Sequence, residues 1–217
     1  TNQGPASNAI VFTVDTTPPA APVITSTGGL TNDSTPTISG TAENNSTVTV
    51  YDGGVSIGTT TASGTGAWSF TPAATIGEGA STITARATDA ATNQGPVSNS
   101  VVYTVDSIAP AAPVITSTGG LTNDSTPTII GTAENNSTVT VYDDGVSIGT
   151  TTASGTGAWS FTPAASIGEG ASTITARATD AATNQGPASN SVVYTVDSIR
   201  SEERRVGKEC VRSCRSR

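Results

Sequence analysis

The sequence predicts an all-β fold made of tandem antiparallel β-sandwich domains of about seven strands each. Three observations carry that expectation. The 217-residue chain repeats itself at a spacing of 91: Trp68 and Trp159, Tyr51 and Tyr142, Phe70 and Phe161, and Arg86 and Arg177 are each that far apart. Thr and Ser fill 31 of the 91 residues in 16–106, which suits exposed strand faces and disfavours helices. Runs of strict apolar/polar alternation are cut by Gly- and Asn-rich turns every 8–12 residues, the rhythm of a sandwich rather than of helices joined by loops. A period this long is one whole small domain per copy, not one turn of a solenoid.

Alignment of 15–105 with 106–196 leaves seven mismatches, at positions 16, 17, 18, 39, 53, 75 and 97. The opening run TNQGPASNAIVFTVD repeats TNQGPASNSVVYTVD at 183–197, so residues 1–15 read as the last strand of a truncated preceding repeat. Complete repeats then occupy 16–106 and 107–197, followed by a non-native tail at 198–217. The chain has no Met, hence no initiator, and is expected to be a piece of a longer protein.

Within one repeat the strands follow in order. Strand A is expected near 22–27, ending at Thr27-Gly28-Gly29, and B at 35–42. C, at 46–52, is the clearest: Val48 and Val50 share one face of Thr47-Val48-Thr49-Val50-Tyr51. Asp52-Gly53-Gly54 turns into D at 55–61, and Ser63-Gly64-Thr65-Gly66 leads to E at 67–72. F at 80–88 alternates through Thr82 to Thr88, and Asn93-Gln94-Gly95-Pro96 precedes G at 97–105. Seven short strands in about 90 residues suit a sandwich of immunoglobulin type. The expected core is Ile24, Ile38, Val48, Val50, Ile57, Trp68, Phe70, Ile83, Ala85, Ala87, Tyr103 and Val105, with the Trp as core rather than as a ligand platform. Gly53 is replaced by Asp144 in the second copy whereas Gly54 persists as Gly145, which places the positive φ at the second turn position, in a bulge-type hairpin.

Charge narrows the function. The chain holds 9 basic and 17 acidic residues, but Arg200–Arg217 contribute 7 and 3 of these, so residues 1–199 carry 2 against 14, a net of −12. Nucleic acid and anionic membranes call for basic footprints, so neither is an expected partner. No apolar run is long enough to span a membrane. Without His or Lys in 1–199, a Ser or Thr nucleophile has no ordinary base beside it, and no catalytic residue is expected.

The run Asp15-Thr16-Thr17-Pro18-Pro19-Ala20-Ala21-Pro22, with Asn32-Asp33-Ser34-Thr35-Pro36-Thr37-Ile38-Ser39-Gly40-Thr41-Ala42-Glu43, resembles the bacterial immunoglobulin-like repeats of giant surface adhesins. Gly66-Ala67-Trp68-Ser69-Phe70-Thr71-Pro72 and Ala87-Thr88-Asp89-Ala90-Ala91-Thr92-Asn93 fit the same pattern, and the resemblance covers 1–197. It implies units stacked in arrays outside the cell, often on biofilm-associated proteins, with calcium stiffening the joints. One departure is local: the F–G turn reads Asp-Ala-Ala-Thr-Asn where the pattern has Asp-x-Ala-Gly-Asn, and a wider turn is expected.

Arg200–Cys210, RSEERRVGKEC, is what a common sequencing-adapter string encodes in one frame, which is why the tail reads as non-native. Both Cys, Cys210 and Cys214, lie in it. The repeats therefore contain neither a disulfide nor, lacking Lys, a Lys–Asn isopeptide staple.

The remaining chemistry is acidic. Alternating strand direction brings Asp15, Glu43, Asp89 and Asn93 to one end of the first repeat, and Asp106, Glu134, Asp180 and Asn184 to the matching place in the second. Asp33, Asp52 and Glu78 gather at the opposite end. Calcium takes six to eight oxygens at adaptable geometry, and three converging carboxylates without a nearby cation would repel one another. Each of the first two sets is therefore an expected calcium site. The expected function is a structural stalk or spacer of an extracellular, cell-surface adhesin that presents distal binding domains. Its partners would be neighbouring repeats of the same chain and, through other domains, cell-surface or biofilm ligands. Two alternatives stay open: an adhesive module that contacts carbohydrate or another cell through Tyr51 and Tyr142, and a spacer in a large surface enzyme.

Overall fold

The computed structural model describes residues 3–5 and 7–198. It contains strands and turns and, among the described residues, no helix. The chain divides into two compact units, with the boundary between Ser107 and Ile108. The tail at 200–217 lies outside the described residues.

The first unit is built from β1 (Val23–Ile24), β2 (Gly29–Thr31), β3 (Ile38–Thr41), β4 (Thr47–Asp52), β5 (Val55–Thr61), β6 (Ala67–Phe70), β7 (Gly79–Thr88), β8 (Gln94–Val97) and β9 (Val101–Val105). One sheet has the order β1-β3-β6; the other runs β2-β9-β7-β4-β5, with β8 also pairing to β7. All pairings are antiparallel except β2 with β9. The second unit repeats this with β10 (Val114–Ile115), β11 (Gly120–Thr122), β12 (Ile129–Thr132), β13 (Thr138–Asp143), β14 (Val146–Thr152), β15 (Ala158–Phe161), β16 (Gly170–Thr179), β17 (Gln185–Ala188) and β18 (Val192–Val196). The fold class expected from the sequence is therefore the one observed: two immunoglobulin-like sandwiches in tandem.

Two expected strands are observed differently. Strand A, expected at 22–27, is only β1 on the small sheet; Gly28 and Gly29 then turn the chain through left-handed backbone at φ 65 and 108 into β2 on the large sheet, past the expected bounds. A Cβ on Gly28 would lie 2.3 Å from the carbonyl oxygen of Val102, so only Gly lets β2 reach β9. Strand G becomes β8 and β9, interrupted at Ser98, whose Oγ accepts the Ala85 N–H at 2.9 Å while its own N–H reaches the Ala85 carbonyl.

The core follows the period-2 alternation. Ile38, Val48, Val50, Ile83 and Ala85 are fully buried, and Trp68, Tyr103 and Ile24 nearly so. Ile57 and Phe70 are only half-buried against this cluster, while Ala62 and Ile76 complete it. A loop residue such as Ile76 escapes the alternation because no strand period marks it. Trp68 and Trp159 are each 4% exposed, which makes them core and not platforms. Both indole N–H groups lack a hydrogen-bond partner. Such a group costs roughly 1–3 kcal/mol of desolvation, against the larger gain from burying the ring.

The β4–β5 hairpin departs from expectation. Gly53 and Gly54 both have positive φ, 54 and 86, as do Asp144 and Gly145 at 47 and 84. Two central residues in left-handed backbone make the two-residue type I′ turn, and the bulge sits further back, at Val50/Tyr51. In the second unit the turn puts Asp144 beside Asp143. Partial burial first, and the Asp144 charge second, hold the Asp143 carboxyl above its ordinary value of 3.8, partly opposed by the hydrogen bond from Ser172. A raised folded value means that the favourable protonated state is present below the unfolded pKa and lost as pH rises through the folded one. Asp144→Asn keeps the turn, the left-handed tolerance and the acceptor for the Thr173 N–H while removing the charge. It should stabilise the second unit by about 0.5 kcal/mol at pH 7 and by less at pH 4, as read by denaturant unfolding at the two pH values.

Candidate functional site

The sequence-predicted ligands at the linker end come together in part. The β7–β8 turn closes on Asp89: its N–H reaches the Asn93 carbonyl, its Oδ1 accepts the Asn93 N–H at 2.8 Å, and its Oδ2 accepts Asn93 Nδ2–H at 2.9 Å. The same Nδ2 donates to the Asp15 carbonyl at 3.0 Å, 78 residues away. The Asp15 side chain is occupied locally, accepting the Thr17 N–H. Asp180 and Asn184 repeat the turn, with bonds of 2.8 and 2.8 Å. Bonds from Asn93, chiefly its side-chain amide, hold the Asp89 carboxyl below its ordinary value.

Glu43 and Glu134 do not join these turns through any described hydrogen bond of their side chains; their carbonyls accept Ser46 and Ser137. Among the described residues no group of three acidic side chains is arranged to hold a metal ion. The convergence of three carboxylates expected in each unit thus gives way to a single carboxylate, one side-chain amide and, at Asp15, one backbone carbonyl. The turn satisfies its own acid: the Asn93 N–H and amide donate to the two oxygens of Asp89, and the amide also reaches the Asp15 carbonyl, so the lone carboxylate is stabilised without a cation.

In place of Gly, the turn carries Thr at its left-handed position. Thr92 takes left-handed backbone at φ 69, and Thr183 does so at φ 72, a conformation that a β-branched residue adopts only under strain. Thr92→Gly should therefore stabilise the first unit by about 1 kcal/mol, the strain relieved less the extra freedom of an unfolded glycine. Thermal unfolding should show the gain without loss of the Asp89–Asn93 bonds, visible as retained amide shifts in NMR.

At the opposite end the three acids are engaged separately. Asp33 Oδ1 accepts the Thr35 N–H, Asp52 Oδ2 accepts Ser81 Oγ–H, and Glu78 accepts both the N–H and the hydroxyl of Ser107. The Glu78 latch ties the residue just past β9 back to the loop before β7, and Glu169 holds Ser198 likewise. Arg86 is a structural donor: its Nη1 reaches the Gly95 carbonyl at 3.0 Å. Tyr51 and Tyr142, the candidate sugar contacts, are half-buried.

Sequence reasoning missed Asn99. Its Oδ1 accepts the Ile24 N–H at 2.8 Å and its Nδ2 donates to the Ile24 carbonyl at 3.1 Å. This amide acts as a one-residue strand on the outer edge of β1, and Asn190 does the same for Ile115. Partners 75 residues apart leave no local pattern; the signal available was an Asn set between strand segments.

Residues 9–107 and 114–198 match the family model described as bacterial Ig-like domain. A search of curated proteins returns no match. Among solved structures, the chain is similar to a biofilm-associated protein BSP domain at 23% identity and TM-score 0.34, over 83% of this chain and 30% of that one. It is similar to the fibronectin(III)-like modules of Clostridium thermocellum CbhA at 21% identity and TM-score 0.46, over 80% of this chain and 93% of that one. It is also similar to a tetra-tandem repeat in the extending region of a large adhesion protein, at 27% identity and TM-score 0.33, over 82% and 49%. The chain thus spans less than a third of the first of these structures and about half of the third.

Proposed function

Because this chain belongs to the bacterial Ig-like domain family, we propose that its two units are spacer repeats of an extracellular, cell-surface adhesin, without catalysis, that carry distal binding domains outward. The observation that supports this most is where the reactive side chains go. Asp52, Glu78, Arg86, Asp89, Asn93 and Asn99 each bond another part of their own unit, and the Trp of each unit is core. What such a unit offers a partner is its length and its copies. Residues 1–199 carry a net charge of −12, which keeps tethered copies apart.

The reading is tested by immobilising the full chain and presenting bacterial cells and a panel of glycans. A spacer retains neither; saturable retention that is lost with Tyr51→Ala and Tyr142→Ala would replace the spacer by an adhesive module.

Calcium belongs to the proposal as a weak ligand of the linker end, with Asp89 and Asp180 supplying the carboxylates. Binding at a tenfold excess over Kd stabilises by about 1.4 kcal/mol. The chain should then melt roughly 7 °C higher in about 10 mM calcium than in chelator, and Asp89→Ala with Asp180→Ala should erase the difference. Equal melting in both would remove calcium and leave the spacer reading intact.

A further inference from the structure

The segment that enters each unit is bound in register to the segment that leaves it. The Ile24 N–H and carbonyl both bond the Asn99 amide, 75 positions on. Gly29, Leu30 and Thr31 of β2 then pair in parallel with Tyr103, Thr104 and Val105 of β9, 74 positions on, and the Asp106 N–H donates to the Thr31 carbonyl at 2.9 Å. Because the offset hardly changes from 24 to 31, the Asn99 side chain and the β9 backbone make one parallel seam, although β1 and β2 lie in different sheets. The second unit has the same seam. Asn190 holds Ile115, β11 pairs with β18, and the Asp197 N–H reaches the Thr122 carbonyl at 2.8 Å. Just past each seam the leaving chain is tied down again, Ser107 by Glu78 and Ser198 by Glu169.

We propose that this seam, with its Asn clasp and Glu latch, is the element of each unit that carries tension, passing it from the entering chain to the leaving chain without loading the core. Strand direction decides this. A pull applied ahead of Ile24 and beyond Asp106 drags two parallel strands past each other along their axes. The bonds between them are then strained together, whereas a hairpin opened from its ends loses its antiparallel bonds one after another. The clasp sits at the upstream end, where Ile24 meets the tension first. The latch sits at the downstream end, where Glu78 directly precedes Gly79, the residue of β7 that faces Val105, so it blocks peeling of β9 from its last residue. Asn99 and Glu78 are both exposed and fill no part of the core; holding the two ends of the seam is what their bonds accomplish. That the chain is pulled in use rests on the spacer reading, but the seam is a property of the fold and can fail without it.

The test holds the full chain by its two ends at constant force and reads the dwell time before each unfolding step, with changes made in the first unit alone and the second as reference in the same molecule. Asn99→Ala should shorten the dwell of the first unit by about 10-fold, and Glu78→Ala by about 3-fold, because their bonds are lost before the unit gives way. Val48→Ala supplies the contrast: Val48 is fully buried on β4, away from the seam, and its truncation leaves a cavity. That variant should melt lower yet change the dwell by less than about 2-fold, since contacts still intact at the transition state do not alter the unfolding rate. Dwell times that simply follow melting temperature, with Val48→Ala as short-lived as Asn99→Ala, would overturn the proposal. So would dwell times left unchanged by both Asn99→Ala and Glu78→Ala. Either result leaves the spacer reading to its own test, retention of cells and glycans.

Discussion

Gly40→Ala should destabilise the first unit by about 3 kcal/mol and lower its midpoint by roughly 15 °C, with the second unit unfolding as before. Gly40 lies on β3, where β1 pairs on one side and β6 on the other, at the register Ile24↔Gly40↔Trp68. A Cβ there would come within 2.2 Å of the Val23 carbonyl oxygen and within 2.6 Å of Trp68 Cζ2. The first obstacle is backbone and the second a ring held on all sides, so neither can yield cheaply. The indole lies over the glycine because nothing projects from it. Gly131, with contacts of 2.2 and 2.6 Å to Val114 and Trp159, preserves the arrangement in the second unit and serves as an internal control. Calorimetry should resolve one transition into two.

Asn99→Ala should cost about 2 kcal/mol in the same unit, because it leaves the Ile24 N–H and carbonyl without the partners they have at 2.8 and 3.1 Å. β1 is two residues long; its pairing with β3 satisfies one side, and the Asn99 amide the other. Asn99→Asp should be at least as harmful at neutral pH, since it retains the acceptor for the N–H but loses the donor and sets a negative charge against the Ile24 carbonyl. Amide exchange at Ile24 is the direct readout. In both variants it should rise well above that of Val50 in β4, which Asn99 does not touch. Unchanged exchange at Ile24 would mean that the amide is ornamental.

These two residues show what the sequence made legible and what it did not. The period of 91 and the alternation Thr47–Tyr51 were enough for the repeat, the class of fold and most of the core, because a strand with one buried face declares itself every second residue. Gly40 falls on the buried face of an expected strand, yet only the position of Trp68 explains why it is Gly. Strand A was legible as β1, while β2 was not foreseen, since it has three residues and the switch between sheets depends on φ at Gly28 and Gly29. Of the expected linker-end residues, Asp15, Asp89 and Asn93 meet through the Asn93 amide. Their arrangement was not legible, because proximity at one end of a sandwich leaves open whether acids face an ion or their own turn. The turn at 89–93 was legible, but Thr92 concealed its left-handed residue, which Gly would have announced. Asn99 and the Glu78 latch pair residues 75 and 29 positions apart, beyond the reach of any local pattern.

The central claim is that each repeat is a separately folded unit able to carry tension along the chain. Pulling the full chain from its two ends with a force probe measures that directly. The account predicts two unfolding events, each releasing about 30 nm of contour length, as expected for 91 residues at about 3.4 Å each, and one more such event for every copy of 16–106 inserted. Extension with no discrete events, or one event releasing both units together, would contradict it.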